Sequence, residues 1–198
     1  MKICFATNNK HKLEEAKVIA GKNFEIVSLS DINCNEELPE TRPTLEGNSL
    51  QKAEFVFTRY NIPCFADDTG LEVESLNGEP GVYSARYAGA QRSSSDNIKL
   101  LLQKLEGVEN RRARFRTVIT LLGLDPRPIV FEGVVNGVII SEMRGSSGFG
   151  YDPVFVPNGH TKTFAEMNLQ EKSTISHRAL AVHKLEHYLK HLSISHPG

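Results

Sequence analysis

Phe65-Ala66-Asp67-Asp68-Thr69-Gly70-Leu71 follows the apolar run Ile62-Pro63-Cys64, which reads as a short buried strand, and ends that strand on two adjacent carboxylates. Successive side chains of an extended chain point to opposite faces, so one acid can face a cleft while its neighbour ties down the turn. Two like charges this close repel unless a cation or good hydrogen bonds compensate. Magnesium is usually held by one or two carboxylates plus substrate phosphates, and Asp67 and Asp68, with Glu40 in the acidic loop upstream, suit that arrangement. Asp-Thr-Gly also makes a plain turn, which accounts for one aspartate better than for two.

Three further constellations carry possible chemistry. Thr7-x-Asn9-x-x-Lys12 stands where a strand turns into a helix, a place that favours anions, with a lysine one turn in. An ordinary capped helix with a surface lysine explains the spacing about as well. In Gly148-Phe149-Gly150-Tyr151-Asp152-Pro153 an aromatic between glycines can stack on a base; alternatively Phe149 and Tyr151 complete the core. Lys172-x-x-x-Ser176-His177-Arg178 reads as the start of the last helix. Arg178 there can donate two parallel hydrogen bonds to the O6 and N7 acceptors of a 6-oxopurine, or simply be solvated. His11, His160, His183, His187, His191 and His196 show no spacing with acids that resembles a metal site, and read as solvated.

Positioning these groups requires an ordered set of elements. Strands are expected over Ile3–Ala6 and Glu25–Leu29, and helices run from Thr7-Asn8-Asn9 onward and over Leu45–Tyr60, with Leu50, Ala53 and Phe57 inward. Ser95-Asp96 caps a helix carrying Ile98, Leu101, Leu102 and Leu105. Ala113 to Ile119 alternates as a strand, and Asn136-Gly137 signals a hairpin between 129–135 and 138–140. Ile175, Ala179, Val182, Leu185 and Leu189 form the stripe of a C-terminal helix that frays from Ser193. Early alternation and late pairing imply a mixed α/β sheet.

Composition narrows the function classes. The 198 residues allow one sizeable core, read as a single domain over 1–198. The 23 Lys and Arg balance 24 Asp and Glu, so no net field favours nucleic acid or anionic lipid. Three cysteines without a Cys-x-x-Cys pair suggest neither a disulfide framework nor a zinc site and fit a reducing compartment. With no signal-peptide core and no membrane-length run, a cytoplasmic protein that engages no membrane is expected.

In this order, ATNNKHKLEEAK (6–17), PETRPTLEGNSLQKA (39–53), FADDTGLEVESLNGEPGVYSARYAG (65–89), GFGYDPVF (148–155) and EKSTISHRA (171–179) closely resemble the inosine triphosphate pyrophosphatase family over nearly the whole chain. The resemblance implies an elongated central mixed β-sheet with flanking helices, forming two lobes around an active-site cleft, usually as a homodimer. It also implies magnesium-dependent hydrolysis of ITP, dITP and XTP to the monophosphate and pyrophosphate. Thr7, Asn9 and Lys12 would hold the triphosphate, Glu40 and Asp68 would ligate Mg2+, Asp67 would support the metal, and Thr69 would touch substrate. Phe149 would stack on the base in a pocket shaped by Gly150, Tyr151 and Asp152. Lys172, His177 and Arg178 would complete purine recognition, with Ser176 setting the turn. One departure stands out: Gly47 occupies the place directly before Asn48 where the family commonly has an acid, which leaves Glu40 as the loop acid assigned to the metal. A purine-nucleotide-binding module that does not hydrolyse its ligand is the alternative.

Overall fold

The computed structural model describes residues 2–20, 22 and 24–195. These form strands β1 (Lys2–Phe5), β2 (Glu25–Val27), β3 (Cys64–Val73), β4 (Pro80–Gly81), β5 (Arg112–Leu122), β6 (Ile129–Ile139) and β7 (Phe155–Pro157). The α-helices are α1 (Lys10–Ala20), α2 (Leu45–Tyr60), α3 (Ser94–Lys104), α4 (Leu169–Ile175) and α5 (His177–Ser195). The strands make one seven-stranded sheet in the order β2-β1-β3-β5-β6-β7, with β4 on β3. It is mixed, as expected: β1 is parallel to β2 and β3, whereas β4 pairs antiparallel with β3 and β7 with β6.

The chain clusters into two compact units, one of Met1–Asp68, Thr117–Gly133 and Arg178–Gly198, the other of Thr69–Arg116 and Val134–His177. In the first, strand alternation makes two layers. Ile3, Phe5 and Phe65 share a core with Ala16 and Ile19 of α1 and with Ala179, Val182 and Leu185 of α5. Cys4, Ala6, Cys64 and Ala66, pointing the other way, pack with Ala53 and Val56 of α2. Phe5 and Phe65 stack with centroids 4.5 Å apart across the parallel pair; burying such a ring contributes about 1.5–3 kcal/mol. In the second unit, Leu71 and Val73 pack with Ile98, Leu101 and Leu105 of α3 and with Phe115, Phe155 and Phe164.

Several expectations are corrected. The strand does not end on the two aspartates: β3 continues through Asp67 and Asp68 to Val73, because both acids find partners inside the protein. Ser93, not Ser95-Asp96, caps α3, its hydroxyl accepting from the Asp96 amide. Ser176 is extended and divides the C-terminal segment. Lys172 and Ile175 therefore belong to α4, and Ile175 packs in the second unit while Ala179, Val182, Leu185 and Leu189 pack in the first. The expected fraying from Ser193 is corrected over Ser193–Ser195, which continue the helix α5; the rest of that expectation, 196–198, lies outside the described residues.

The Asn136-Gly137 hairpin is absent because the dipeptide sits inside β6, with Gly137 opposite Pro157 of β7. Here glycine serves close approach rather than a turn. A Cβ on Gly137 would lie 2.3 Å from the Val156 carbonyl oxygen and 2.7 Å from the Phe155 ring. Gly137→Ala is expected to destabilise by about 1–3 kcal/mol, the usual cost of overpacking. Thermal unfolding checks it; an unchanged midpoint contradicts the close-packed pairing.

Candidate functional site

Alternation along β3 gives each aspartate its own layer. Asp67 shares the side of Phe65, facing α1 and α5, and Asp68 shares the side of Ala66, facing α2. The answer to two adjacent acids is therefore two sets of partners.

Asp67 is 0% exposed. Its Oδ1 accepts from Lys12 Nζ at 3.0 Å, and its Oδ2 accepts from Arg178 Nε and Nη2, each at 3.3 Å. Arg178, itself 1% exposed, donates from Nη1 to the buried Glu15. Burial alone would push the Asp67 carboxyl up, but Lys12, Arg178 and Lys52 outweigh it and hold the group well below the usual carboxylate range. For Lys12 burial wins: it lowers the ammonium below its ordinary value against the pull of Asp67.

Asp68, 7% exposed, faces a different cation. Its Oδ2 accepts from Asn48 Nδ2 at 3.0 Å, and Lys52 Nζ lies 3.9 Å from Oδ1 and 2.6 Å from Glu40 Oε1. Burial raises the Asp68 carboxyl and Glu40 adds to it, against Lys52 and Lys12. Desolvation opposes the Lys52 charge, yet Asp68, Glu40 and Asp67 together raise it. Two carboxylates thus converge on one ammonium. That donor set fits a hard divalent cation, which takes one or two carboxylates and completes its shell with water and phosphate oxygens. Among the described residues no cluster of three or more His, Cys, Asp or Glu side chains forms a metal cage by itself.

The strand-to-helix turn is capped: Thr7 Oγ1 accepts from the Asn9 amide, and Asn9 Oδ1 accepts from the amides of His11 and Lys12. Asn8 ties the acidic loop to this turn, its Nδ2 donating to the Glu36 carbonyl and its Oδ1 accepting from the Leu38 amide. Asn48 Oδ1 also accepts from the Arg42 amide. The loop bearing Glu40 is thereby pinned from both ends.

The second unit holds the remaining candidates. Lys172 and Asp152 are buried and paired at 2.6 Å. Asp152 Oδ2 also accepts from the Phe149 amide at 2.9 Å, so one oxygen shapes the loop and fixes the lysine. Gly148 has φ +74°, and a Cβ there would meet the same oxygen at 2.0 Å. The Lys172 ammonium lies 5.0 Å from the centre of the half-buried Phe149 ring, a cation–π contact. Tyr151 is buried and donates to the Ser84 carbonyl, while His177 stacks on Phe115 at 4.5 Å. Ser176 is buried, and Thr69 and Gly150 are half-buried. Sequence neighbours His177 and Arg178 fall in different units, so the structure places Arg178 on Asp67 and Glu15 and groups Lys172 with Phe149 and Asp152.

Glu15, Asn48 and Lys52 were not assigned partners from sequence. The signal for them was present: Leu45, Asn48, Ser49, Lys52 and Val56 form one buried helical stripe, and a lysine or asparagine on such a stripe must find a polar partner.

A family model described as the Ham1 family matches residues 3–188. A dITP/XTP pyrophosphatase of Porphyromonas gingivalis is 56% identical over 189 residues, covering 95% of this chain and 97% of that protein. One of Flavobacterium johnsoniae is 51% identical over 185 residues, covering 93% and 96%. Among solved structures, the Staphylococcus aureus Ham1 protein matches with a TM-score of 0.86 at 40% identity, over 96% of this chain and 99% of that one. A HAM1 protein from Coxiella burnetii matches at 0.86 and 35% identity, over the same shares.

Proposed function

The chain belongs to the Ham1 family, and from that premise we propose that it hydrolyses the non-canonical purine nucleoside triphosphates ITP, dITP and XTP to the nucleoside monophosphate and pyrophosphate, removing them before they enter DNA or RNA. Two relatives about half identical over nearly their whole length bear the name dITP/XTP pyrophosphatase. The observation in the fold that carries the reading is the split of Asp67 and Asp68 between two sets of charged partners. A module that binds purine nucleotides without cleaving them finds no support among these relatives.

In the mechanism we assign, Thr7, Asn9 and Lys12 bind the triphosphate, and Asp67 holds the Lys12 ammonium against it. Glu40 and Asp68 would hold Mg2+, which supplies Lewis-acid polarisation of phosphate oxygens and neutralises developing charge. The Asp68 carboxylate orients a water for in-line attack on the α-phosphorus. The new P–O bond forms as the bond to the α–β bridging oxygen breaks, the water's proton passes to Asp68 or a phosphate oxygen, and pyrophosphate leaves. Thr69 contacts the substrate beside Asp68. Phe149 stacks on the base, with Gly150, Tyr151, Asp152, Lys172, Ser176 and His177 building its surroundings. Arg178 supports this through Asp67, and a direct part in purine recognition rests on the resemblance alone. We further assign a cytoplasmic homodimer that engages neither nucleic acid nor membrane.

Pyrophosphate release from ITP, dITP, XTP, GTP and ATP, with and without magnesium, tests the reading. Turnover of ITP, dITP and XTP far above GTP and ATP, and only with magnesium, is expected. Binding of all purine triphosphates without cleavage would sink it. Phe149→Ala is expected to raise KM for ITP by about 5- to 150-fold, the equivalent of about 1–3 kcal/mol of base stacking. Unchanged KM would return Phe149 to the loop's own packing.

A further inference from the structure

The exposed side of α5 carries His183, His187 and His191 at intervals of four residues. On a helix such residues lie one above another. His187 and His191 have come together: their Nε2 atoms are 3.2 Å apart, with ring centroids 4.4 Å apart in an edge-on arrangement. Two ring nitrogens at that distance cannot both carry a proton without repelling, so one donates and the other accepts. The same separation suits a different bridge. Metal–imidazole bonds of about 2.0–2.1 Å place two cis nitrogens about 3 Å apart at a right angle and slightly farther at a tetrahedral angle. The Nε2 pair therefore has the spacing of two ligands of one ion, reached from the observed hydrogen bond by a turn of the exposed rings.

We propose that His187 and His191 form a bidentate surface site for a divalent transition metal, with copper(II) favoured over nickel(II) and zinc(II). Imidazole suits these ions, and affinity for a given nitrogen set peaks at copper. Water completes the shell, since among the described residues no third His, Cys, Asp or Glu makes a cluster of three. His183, one turn earlier, is engaged by Glu186 at 3.3 Å, and Glu186 is also paired with Lys190. The site is separate from the Glu40 and Asp68 pair, whose oxygen donors suit magnesium instead.

The test uses the untagged full chain titrated with Cu2+ by calorimetry, beside His187→Gln, His191→Gln and the double variant. Altering even the outer-shell partners of a metal ligand costs about 10–100-fold in affinity, so each single variant should bind at least about tenfold more weakly and the double variant should lose the site. The Cu2+ paramagnetic resonance spectrum of the wild type should show coupling to two imidazole nitrogens. Because a ligand that binds only the folded state raises its stability, Cu2+ should raise the unfolding temperature of the wild type more than that of the double variant. Both side chains are exposed, so pyrophosphatase activity without copper should be unchanged in all variants. Wild-type copper affinity in the double variant, or a spectrum without two nitrogen ligands, overturns the proposal.

Discussion

Arg178→Met is expected to lower folding stability by about 3–5 kcal/mol, the cost of removing one partner from a buried ion pair. At about 2–4 °C per kcal/mol for a chain of this size, the unfolding midpoint should fall by roughly 6–20 °C. The guanidinium holds Asp67 and Glu15 at once and is almost wholly buried. Its loss takes a cation from Glu15 and from Asp67 at once, in an interior where an ionised carboxyl is costly. Adding Glu15→Met to Arg178→Met should restore part of the loss, because the stranded charge goes with it; a double-mutant cycle measures that coupling. Activity should fall with stability at assay temperature, and below the unfolding range it should still be reduced because Asp67 and Lys12 are no longer held. If Arg178 serves chiefly to read the purine, the outcome differs: a midpoint within about 2 °C of wild type, with KM for ITP rising toward that for GTP.

Much of this was legible before the structure, and the unread parts share a cause. The helix Leu45–Tyr60 matches its expected limits, because its start carries a capping threonine and its apolar spacing is regular. Of the residues expected inward, Ala53 is buried, whereas Leu50 and Phe57 are half-buried and Leu45 and Val56 take the apolar places on the buried face. Asn48, Ser49 and Lys52 lie on that face too, and their partners Arg42, Ala66, Glu40 and Asp68 come from segments whose approach no local pattern encodes. The same limit explains the hairpin that is not there. Asn136-Gly137 is a turn signal only while the chain around it is free to turn; the pairing of Gly137 with β7 and the ring of Phe155 make glycine necessary for another reason. The two aspartates were read as a strand end because local reasoning gives charge no place inside a sheet. Lys12 from one helix layer and Lys52 from the other supply that place, and they lie 55 and 16 residues from the acids they meet. Side-chain alternation does give each aspartate its own face, but neither ties down a turn, since both are buried within β3.

Asp68→Asn should separate chemistry from folding more cleanly than any other substitution at the site. Turnover is expected to drop by about 10²–10⁴-fold, the range for loss of a positioned acid–base group, with KM little changed. Stability should move by no more than about 1 kcal/mol, or about 2–4 °C. The sign follows from the surroundings. Burial already works against the Asp68 charge, Glu40 adds to the opposition, and Lys52 and Lys12 only partly offset it, so the carboxyl sits above its ordinary value. An acid raised in the folded state is one whose ionised form the fold disfavours, and replacing it by a neutral amide removes that penalty. Asn48 can still donate to the new amide oxygen, and Lys52 keeps Glu40 at 2.6 Å. Asp67→Asn should behave in the opposite way, losing stability as well as rate, because the fold holds that carboxyl well below its ordinary value and two cations, the half-buried Lys12 and the buried Arg178, pair with it. Steady-state turnover of ITP under saturating magnesium, read beside thermal unfolding, checks both variants. Near-normal turnover in Asp68→Asn would remove Asp68 from the reaction, and equal stability losses in the two variants would mean that the faces of β3 do not divide the labour between them.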